Sequence, residues 1–426
     1  MRNAHPEYDR AMRALRALQL IGAASAAAAA LGFAASCSSF GAESDESVAD
    51  ATAGPRDGEA PDSESGRDGA STDGASGDAG ADLRLPCPPA WGGTTLATAW
   101  EKRTIYEPPI DGGADAGRVW MYPFAIATDS SHVTWLAQLG VPGSADDTEP
   151  YNGNADAIVL RAPKQPGAPV VLARGQHRAV ALALDGDFVY WVTWDVDDIG
   201  RMFRQPRDAN CDVSCTPELV TTFSARIVRL VRAAPGIFFA VGGGGQTFRF
   251  QLGTWPTLVT STGNYPSIAA TSDHVFASAM TVARVTRASV LDAAAVDDPY
   301  LAVPALDASG YVGVGPTATD CASLWMVKST NGVEELYRHD FASAGSFTKL
   351  TAIGGGTPGI AADEKYVYGA QWNAGGVLVV EKISGGSATV YAGNVWTVAV
   401  DDEGIYFGEH APRAPATGTL YMRVKK

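Results

Sequence analysis

The chain has 426 residues, with 32 Lys+Arg against 47 Asp+Glu and a net charge of −15. That is too long for one ordinary core and too acidic to suit a nucleic-acid backbone. Hydrophobic residues make up 46%, and 47 Gly with 25 Pro mark many turns, so either several domains or one large repeat fold is expected.

The charge is unevenly spread along the chain. Residues 1–40 carry four basic and two acidic groups, 41–85 carry three and twelve, and 86–426 carry 25 and 33. The acidity is partly a property of one segment, and the part expected to fold is only mildly acidic.

Arg2, Arg10, Arg13 and Arg16 precede an apolar run from about Leu18 to Ala35, which ends in Ala34, Ala35 and Ser36 before Cys37. A basic stretch, an apolar stretch and small residues in that order describe a secretory signal. The run is Ala-rich and barely long enough to span a bilayer, which argues against an uncleaved anchor. With Cys at the junction, residues 1–36 resemble a bacterial lipoprotein signal peptide, which implies a lipid-anchored protein acylated at Cys37. The other reading is a plain secretory signal with an incidental Cys. By analogy with enteric lipoproteins, Ser38 in place of Asp implies the outer membrane, on its periplasmic or surface side.

Residues 37–85 follow as an acidic Ser/Gly/Asp/Ala-rich stretch. From 41 on it has no aromatic residue, so it cannot bury enough apolar surface to offset chain entropy. It reads as a disordered tether between a membrane and a folded domain. Beyond Cys37 the cysteines are Cys87, Cys211, Cys215 and Cys321, an even number in an exported chain. Cys211 and Cys215 are near enough to close a small loop, which leaves Cys87 to staple the start of the domain to Cys321. A metal site is the alternative, but the spacing fits no common zinc pattern.

Repeats dominate residues 86–426. Segments beginning at Pro123, Ala179, Ile227, Tyr265, Val314, Thr357 and Val395 align without gaps. A small apolar position reads Ala127, Ala183, Val231, Ala269, Ala318, Ala361, Ala399. Two residues on stand Asp129, Asp185, Asp320, Asp363 and Asp401. Four further comes an aliphatic residue (Val133, Val189, Ile237, Val275, Leu324, Val367, Ile405), then an aromatic one at Tyr190, Phe238, Phe276, Trp325, Tyr368 and Tyr406. The copies recur every 38 to 56 residues, the size of one four-stranded propeller blade. Small residues suit crowded innermost strands, Asp suits a turn bonded to its own backbone, and large rings suit the second strand further out.

Third strands are predicted at 158–164, 201–207 and 419–425, and fourth strands at 169–173, 217–223 and 256–261. The last copy ends at its third strand, so residues 94–99 are predicted to pair with the C-terminal blade and close the ring. The expected fold class is all-β, a seven-bladed β-propeller of four-stranded blades. VYWVTW in the second copy resembles the YWTD, NHL and TolB-like propellers of secreted and periplasmic proteins. That resemblance implies a fold and no activity.

On such a fold the channel mouth is the place to look for a site. Loops entering the first strands offer Tyr122, His177, Arg178, Arg226, Asn264 and Trp396, and residues just past the second strands include Trp194, Trp372 and His410. Trp194 and Trp372 suit stacking against sugars or filling an anchor pocket, or else plain packing between blades. Arg178, Arg226 and His177 suit an anion. His132 and His274 share one turn position and read as structural. Asp195, Asp197 and Asp198 imitate a Ca²⁺ loop, but Ile199 takes a ligand position and no bidentate Glu follows. Resemblance to propeller lactonases would draw on Asn264 and Asn394 as Ca²⁺ ligands, without a Glu to join them. GGGG at 242–245 lacks a phosphate-binding Lys, and no nucleophile motif is present.

The expectation is therefore a non-catalytic binding or scaffold module, monomeric, without cofactor, metal or nucleic acid. It would be held at the membrane by a lipid and would take an envelope glycan, peptide or protein. The alternative is a metal-dependent hydrolase or lactonase with its site at the channel mouth.

Overall fold

The repeated segments fold as alternating strands because their apolar residues recur with period two, and each copy contributes the inner strands of one antiparallel sheet. The computed structural model describes residues 100–106, 120–140, 157–302, 312–409 and 420–425, apart from positions 166, 196, 212–214, 262–265, 280–281, 293, 321, 331–332, 344–345, 355 and 372–374. The 28 strands among these residues make seven four-stranded sheets, the blades of an all-β propeller. The innermost strands are Trp120–Thr128, Ala181–Asp185, Ile227–Ala234, Pro266–Ala270, Val312–Thr319, Gly359–Ala362 and Val395–Val400. We number blades one to seven in that order. Each innermost strand touches the next, and that of blade seven touches that of blade one.

Closure uses a different segment from the one predicted. Residues 94–99 lie outside the described residues. The strand that completes blade seven is Trp100–Tyr106, which pairs antiparallel with Leu420–Lys425, Trp100 opposite Lys425.

The small and aromatic repeat positions face each other directly: Ala183 opposite Tyr190, Ala269 opposite Phe276, Ala318 opposite Trp325, Ala361 opposite Tyr368 and Ala399 opposite Tyr406. A methyl group beside each ring leaves the ring its volume. The gapless alignment fails in blade three. There Val231 lies opposite Phe239, not Phe238, because the ladder shifts register between Arg232 and Ala234 and takes up Ala233 as an extra residue. A one-residue slip moves side chains to the other face, so Phe238 packs toward blade two and Phe239 toward blade four.

Seven apolar clusters fill the seams between blades. Leu136 of blade one meets Trp191 of blade two, Tyr190 meets Phe238, Phe239 meets Val275, and Phe276 meets Met326. Trp325 then meets Val380, Tyr368 meets Phe407, and Tyr406 meets Trp135 back in blade one.

The conserved-looking Asp of the repeat does two jobs. Its Oδ1 accepts backbone N–H bonds in the turn after the innermost strand, from Ser131 and His132 to Asp129 (both 2.8 Å) and from Ala322 and Ser323 to Asp320 (both 2.7 Å). Asp363 and Asp401 repeat the pattern. The carboxylate also takes a cation from the following blade. Arg207 reaches Asp129 at 3.0 Å, Arg232 reaches Asp185, Lys382 reaches Asp320, and Lys164 of blade one reaches Asp401 of blade seven at 2.8 Å. Burial pushes the Asp129 carboxyl up, but the Ser131 and His132 N–H groups and Arg207 outweigh it and hold the group below its ordinary range. Blade three carries Ala234 at this place, and Val290 of blade four packs in the same apolar cluster.

Cys211 and Cys215 form a disulfide. Cys211 is tied to the outer strand Val170–Ala173 of blade one, its N–H donating to the Val171 carbonyl at 2.8 Å. Cys37, Cys87 and Cys321 lie outside the described residues, and so does any pairing between the last two.

Candidate functional site

The upper face of the ring is the one where the chain enters each innermost strand and where second strands turn into third strands. In blades two and three it is built from four short segments. Blade two is entered through 174–180. Gln176 is held there by backbone bonds in both directions with Ala157 (2.9 and 3.0 Å), and its side chain accepts the Trp191 Nε1–H at 2.9 Å. This anchored turn places Arg178 with a positive φ of 55°, a left-handed conformation that costs a non-glycine residue about 1–2 kcal/mol. Val180 N–H, bonded to the Val192 carbonyl at 3.1 Å, then starts the innermost strand.

Trp194 ends the second strand, Phe188–Trp194, opposite Gly200. It is only 7% exposed, and its ring belongs to the apolar seam with blade three. The turn after it is closed by Asp195, whose Oδ1 accepts N–H bonds from Asp197 (3.0 Å) and Ile199 (2.9 Å) while Oδ2 pairs with Arg201 at 2.7 Å. The Ile199 N–H first, then the Asp197 N–H and Arg201, outweigh desolvation and lower the Asp195 carboxyl below its usual range. The carboxylate is thus engaged in its own turn rather than aimed outward for Ca²⁺. Among the described residues, no three His, Cys, Asp or Glu side chains are placed to hold a metal.

Arg226 sits in the link from blade two to blade three. Two glycine-containing turns pin this link: Gly200 N–H donates to the Ala225 carbonyl (3.0 Å) and Gly243 N–H to the Arg226 carbonyl (2.8 Å). At Gly200 a Cβ would stand 2.7 Å from the Ala225 oxygen, so the close approach requires glycine. The four-glycine run therefore seats this link. Its Gly243 N–H goes to Arg226 and its Gly245 N–H to the Gly242 carbonyl, which leaves neither for a phosphate.

These segments converge on one cluster. The Arg178 guanidinium carbon lies 4.4 Å from the Trp194 ring centroid, and that of Arg226 lies 3.8 Å from it. The two guanidiniums are therefore no further apart than those distances combined. Cation–π contacts of this kind are worth about 0.5–2 kcal/mol each and hold the planar groups against the ring. Among the described residues Arg226 has no carboxylate partner, and its Nε is buried without an acceptor. The indole Nε1 of Trp194 is likewise buried without one.

The other predicted residues are placed differently. His177 is exposed, immediately before Arg178. Trp396, on blade seven, is stacked with Phe124 of blade one at 6.0 Å; Phe124 belongs to the buried cluster that contains Trp194, and Trp396 packs against that cluster. Tyr122 lies in the innermost strand of blade one, but its side chain is outside the described residues, as are Asn264, Trp372 and His410. His132 and His274 open second strands, with N–H bonds to Asp129 (2.8 Å) and Thr271 (3.1 Å). Sequence reasoning offered the Arg and Trp residues separately. Their stacking was hidden because it joins segments 16 and 32 residues from Trp194, and no periodicity predicts it.

No protein-family model matches the chain, and no curated protein matches it in sequence. Solved structures are similar to it at low identity. The crystal structure of the WD40 beta propeller domain of Doa1 is 11% identical, covering 78% of this chain and 97% of that one with a TM-score of 0.49. YCF48 from Cyanidioschyzon merolae is 11% identical over 76% of this chain and 98% of that one, also with a TM-score of 0.49. A structure of YCF48 bound to D1 peptide is 12% identical over 80% and 100%, with a TM-score of 0.47. The strand topology makes this chain an all-β propeller of four-stranded blades.

Proposed function

We propose that this protein is a cell-envelope lipoprotein, anchored through Cys37 and the tether 37–85, whose seven-bladed ring is a non-catalytic binding or scaffold module. Its ligand is a glycan, a peptide or a partner protein received on the upper face at blades two and three. The observation that carries this reading is the pair of guanidiniums stacked on Trp194. Two cations held close to one ring at a strand end put positive charge on this face of a chain that is acidic as a whole.

Site-specific photocrosslinking in the envelope tests it. A photoreactive residue at exposed Arg174 reports on the upper face, and one at exposed Asp187, in the turn at the opposite end of blade two, serves as the control. A discrete adduct from position 174 that is absent from position 187 supports the reading. Equal labelling from both, no adduct from either, or turnover of lactones and esters by the purified chain counts against it.

A further inference from the structure

We infer that the lower face of the ring, where first strands turn into second and third into fourth, is a lipid-contacting face. Trp255, Leu291 and Ile383 enter the interfacial layer of a membrane there. The inference rests on the reading of the protein as membrane-anchored and adds which way the ring faces.

Three observations carry it. First, the most exposed large apolar side chains among the described residues are Ile383 at 89%, Trp255 at 79% and Leu291 at 71%. One such residue on a surface is ordinary, but these three share a position in their blades. Trp255 lies between the third and fourth strands of blade three, Gln246–Gln251 and Thr257–Ser261. Leu291 lies between Val282–Ser289 and Val296–Ala302 of blade four, and Ile383 between Gly376–Glu381 and Ser387–Tyr391 of blade six. Neighbouring N–H groups tie each of these turns to the first-to-second turn of the same blade: Leu252 to Gly236, Val290 to Asp273 and Lys382 to Lys365. Exposed Leu219 and Leu258 stand second from the lower ends of the fourth strands in blades two and three.

Second, other residues make the bonds that shape these turns. Thr254 donates to the Gln251 carbonyl through its N–H (3.0 Å) and its hydroxyl (2.8 Å). Asp292 N–H donates to Ser289 Oγ (3.2 Å) and Ala294 N–H to Asp292 Oδ1 (3.0 Å). Gly385 N–H donates to the Glu381 carbonyl (2.9 Å), and the Ser384 hydroxyl to Glu381 Oε2 (2.6 Å). A polar residue at 255, 291 or 383 would serve each turn as well and be hydrated. Large apolar groups grouped on one face mark a surface that meets something apolar.

Third, the chain enters the ring on this face. Trp100 lies opposite Lys425, and the adjacent Val424 lies opposite Gly404, which opens the second strand of blade seven just after the Asp401 turn. The apolar run 18–35 and Cys37, read as the anchor, precede this entry point. An anchor reached through it favours the lower face toward the membrane and leaves the upper face open to a partner. Trp suits the headgroup level of a bilayer, and Leu and Ile suit the acyl boundary beneath it. Exposed Asp187, Asp273, Glu364 and Asp402 in the lower turns oppose an anionic surface, so the lipid it fits is zwitterionic.

The test mixes the full chain with phosphatidylcholine vesicles and places a photoreactive residue at 291 or 383, with 174 on the upper face as reference. Positions 291 and 383 should give lipid adducts about tenfold more often than 174. Replacing Trp255, Leu291 and Ile383 together by Ser should weaken vesicle binding in flotation about tenfold or more. The N-terminal run is common to both chains, so the difference belongs to the ring. Tm should stay unchanged, because all three side chains are exposed, and adding phosphatidylglycerol should not strengthen binding.

Equal lipid labelling from 174 and 383, no lipid adduct from 291 and 383, unchanged binding of the Ser variant, or binding that needs phosphatidylglycerol would overturn the inference. So would a discrete protein adduct in place of lipid from 383 in the envelope. The anchor is judged separately by metabolic labelling with palmitate, which Cys37→Ser should abolish. Absence of that label would sink the anchored reading whatever the vesicles show, and the position-174 crosslink still decides whether the upper face binds a partner.

Discussion

Removing the ammonium of Lys382 should expose how much the cation clasps between blades contribute. Lys382 of blade six and Asp320 of blade five are each 7% exposed and paired, and the ammonium also donates to the Asp363 carbonyl. Lys382→Met keeps most of the aliphatic stem but leaves Asp320 a buried carboxylate without its counter-charge. Its Oδ1 bonds to Ala322 and Ser323 and its Oδ2 bond from Trp325 Nε1 (2.7 Å) remain. Breaking one side of a buried pair costs about 3–5 kcal/mol. At about 2 cal/mol/K of unfolding entropy per residue, a ring of this size loses about 1.5 °C per kcal/mol, so Tm should fall by about 4–8 °C. Calorimetry of the full chain reads this directly. Lys382→Met combined with Asp320→Asn should fall by less than Lys382→Met alone, since no charge is then left unpaired. A single variant within about 1 kcal/mol of the wild type would refute the reasoning, because the desolvation of the ammonium would then already cancel its attraction.

Asp363 is fully buried, and burial raises its carboxyl above the ordinary range although Tyr368, Tyr366 and Lys365 donate to it. A raised carboxylate penalises the charged folded state, so this group's contribution to stability grows as pH falls through its folded pKa and is complete below the unfolded value. Asp363→Asn keeps an acceptor for the turn, so its Tm relative to wild type should be best at pH 7 and decline toward pH 4 in a melting series. Reducing Cys211–Cys215, or replacing both by Ser, should cost only about 2 kcal/mol, because the closed loop is short. Protection of the Val171–Ala173 amides in hydrogen exchange should fall with it. Gly376 has φ +81°, and a Cβ there would run into the Tyr391 carbonyl. Gly376→Ala should therefore unpair the outer strands of blade six and cost about 3 kcal/mol or more by denaturant titration.

The blade pattern was legible because it is local. Ala183 and Tyr190, or Ala399 and Tyr406, stand seven residues apart and meet across one hairpin, so a gapless alignment captures the contact. It misplaced Phe238 for the same reason: an alignment without gaps cannot absorb the bulge at Ala233. The second role of the repeat Asp was missed although a signal existed. Lys164, Arg207 and Lys382 each follow directly on a third strand, and each belongs to a blade preceded by one with Asp. Comparing neighbouring copies rather than stacking all of them would have shown it. The stacking of Arg178 and Arg226 on Trp194 depends on how two blades meet, which no single copy encodes.

Pairing Trp100–Tyr106 with Leu420–Lys425 has one more consequence. An open stack of repeats has first and last members that fray and need polar caps. Here the strand that starts the described fold and the strand that finishes it lie in the same sheet, so every blade has two neighbours and none is terminal. Unzipping cannot begin at an end. Opening any seam means releasing the closing strand or tearing the circle elsewhere, and either costs contacts on both sides of the break. Such a molecule should denature as a single cooperative unit despite its length, and a cut inside the closing strand should loosen all of it rather than one edge.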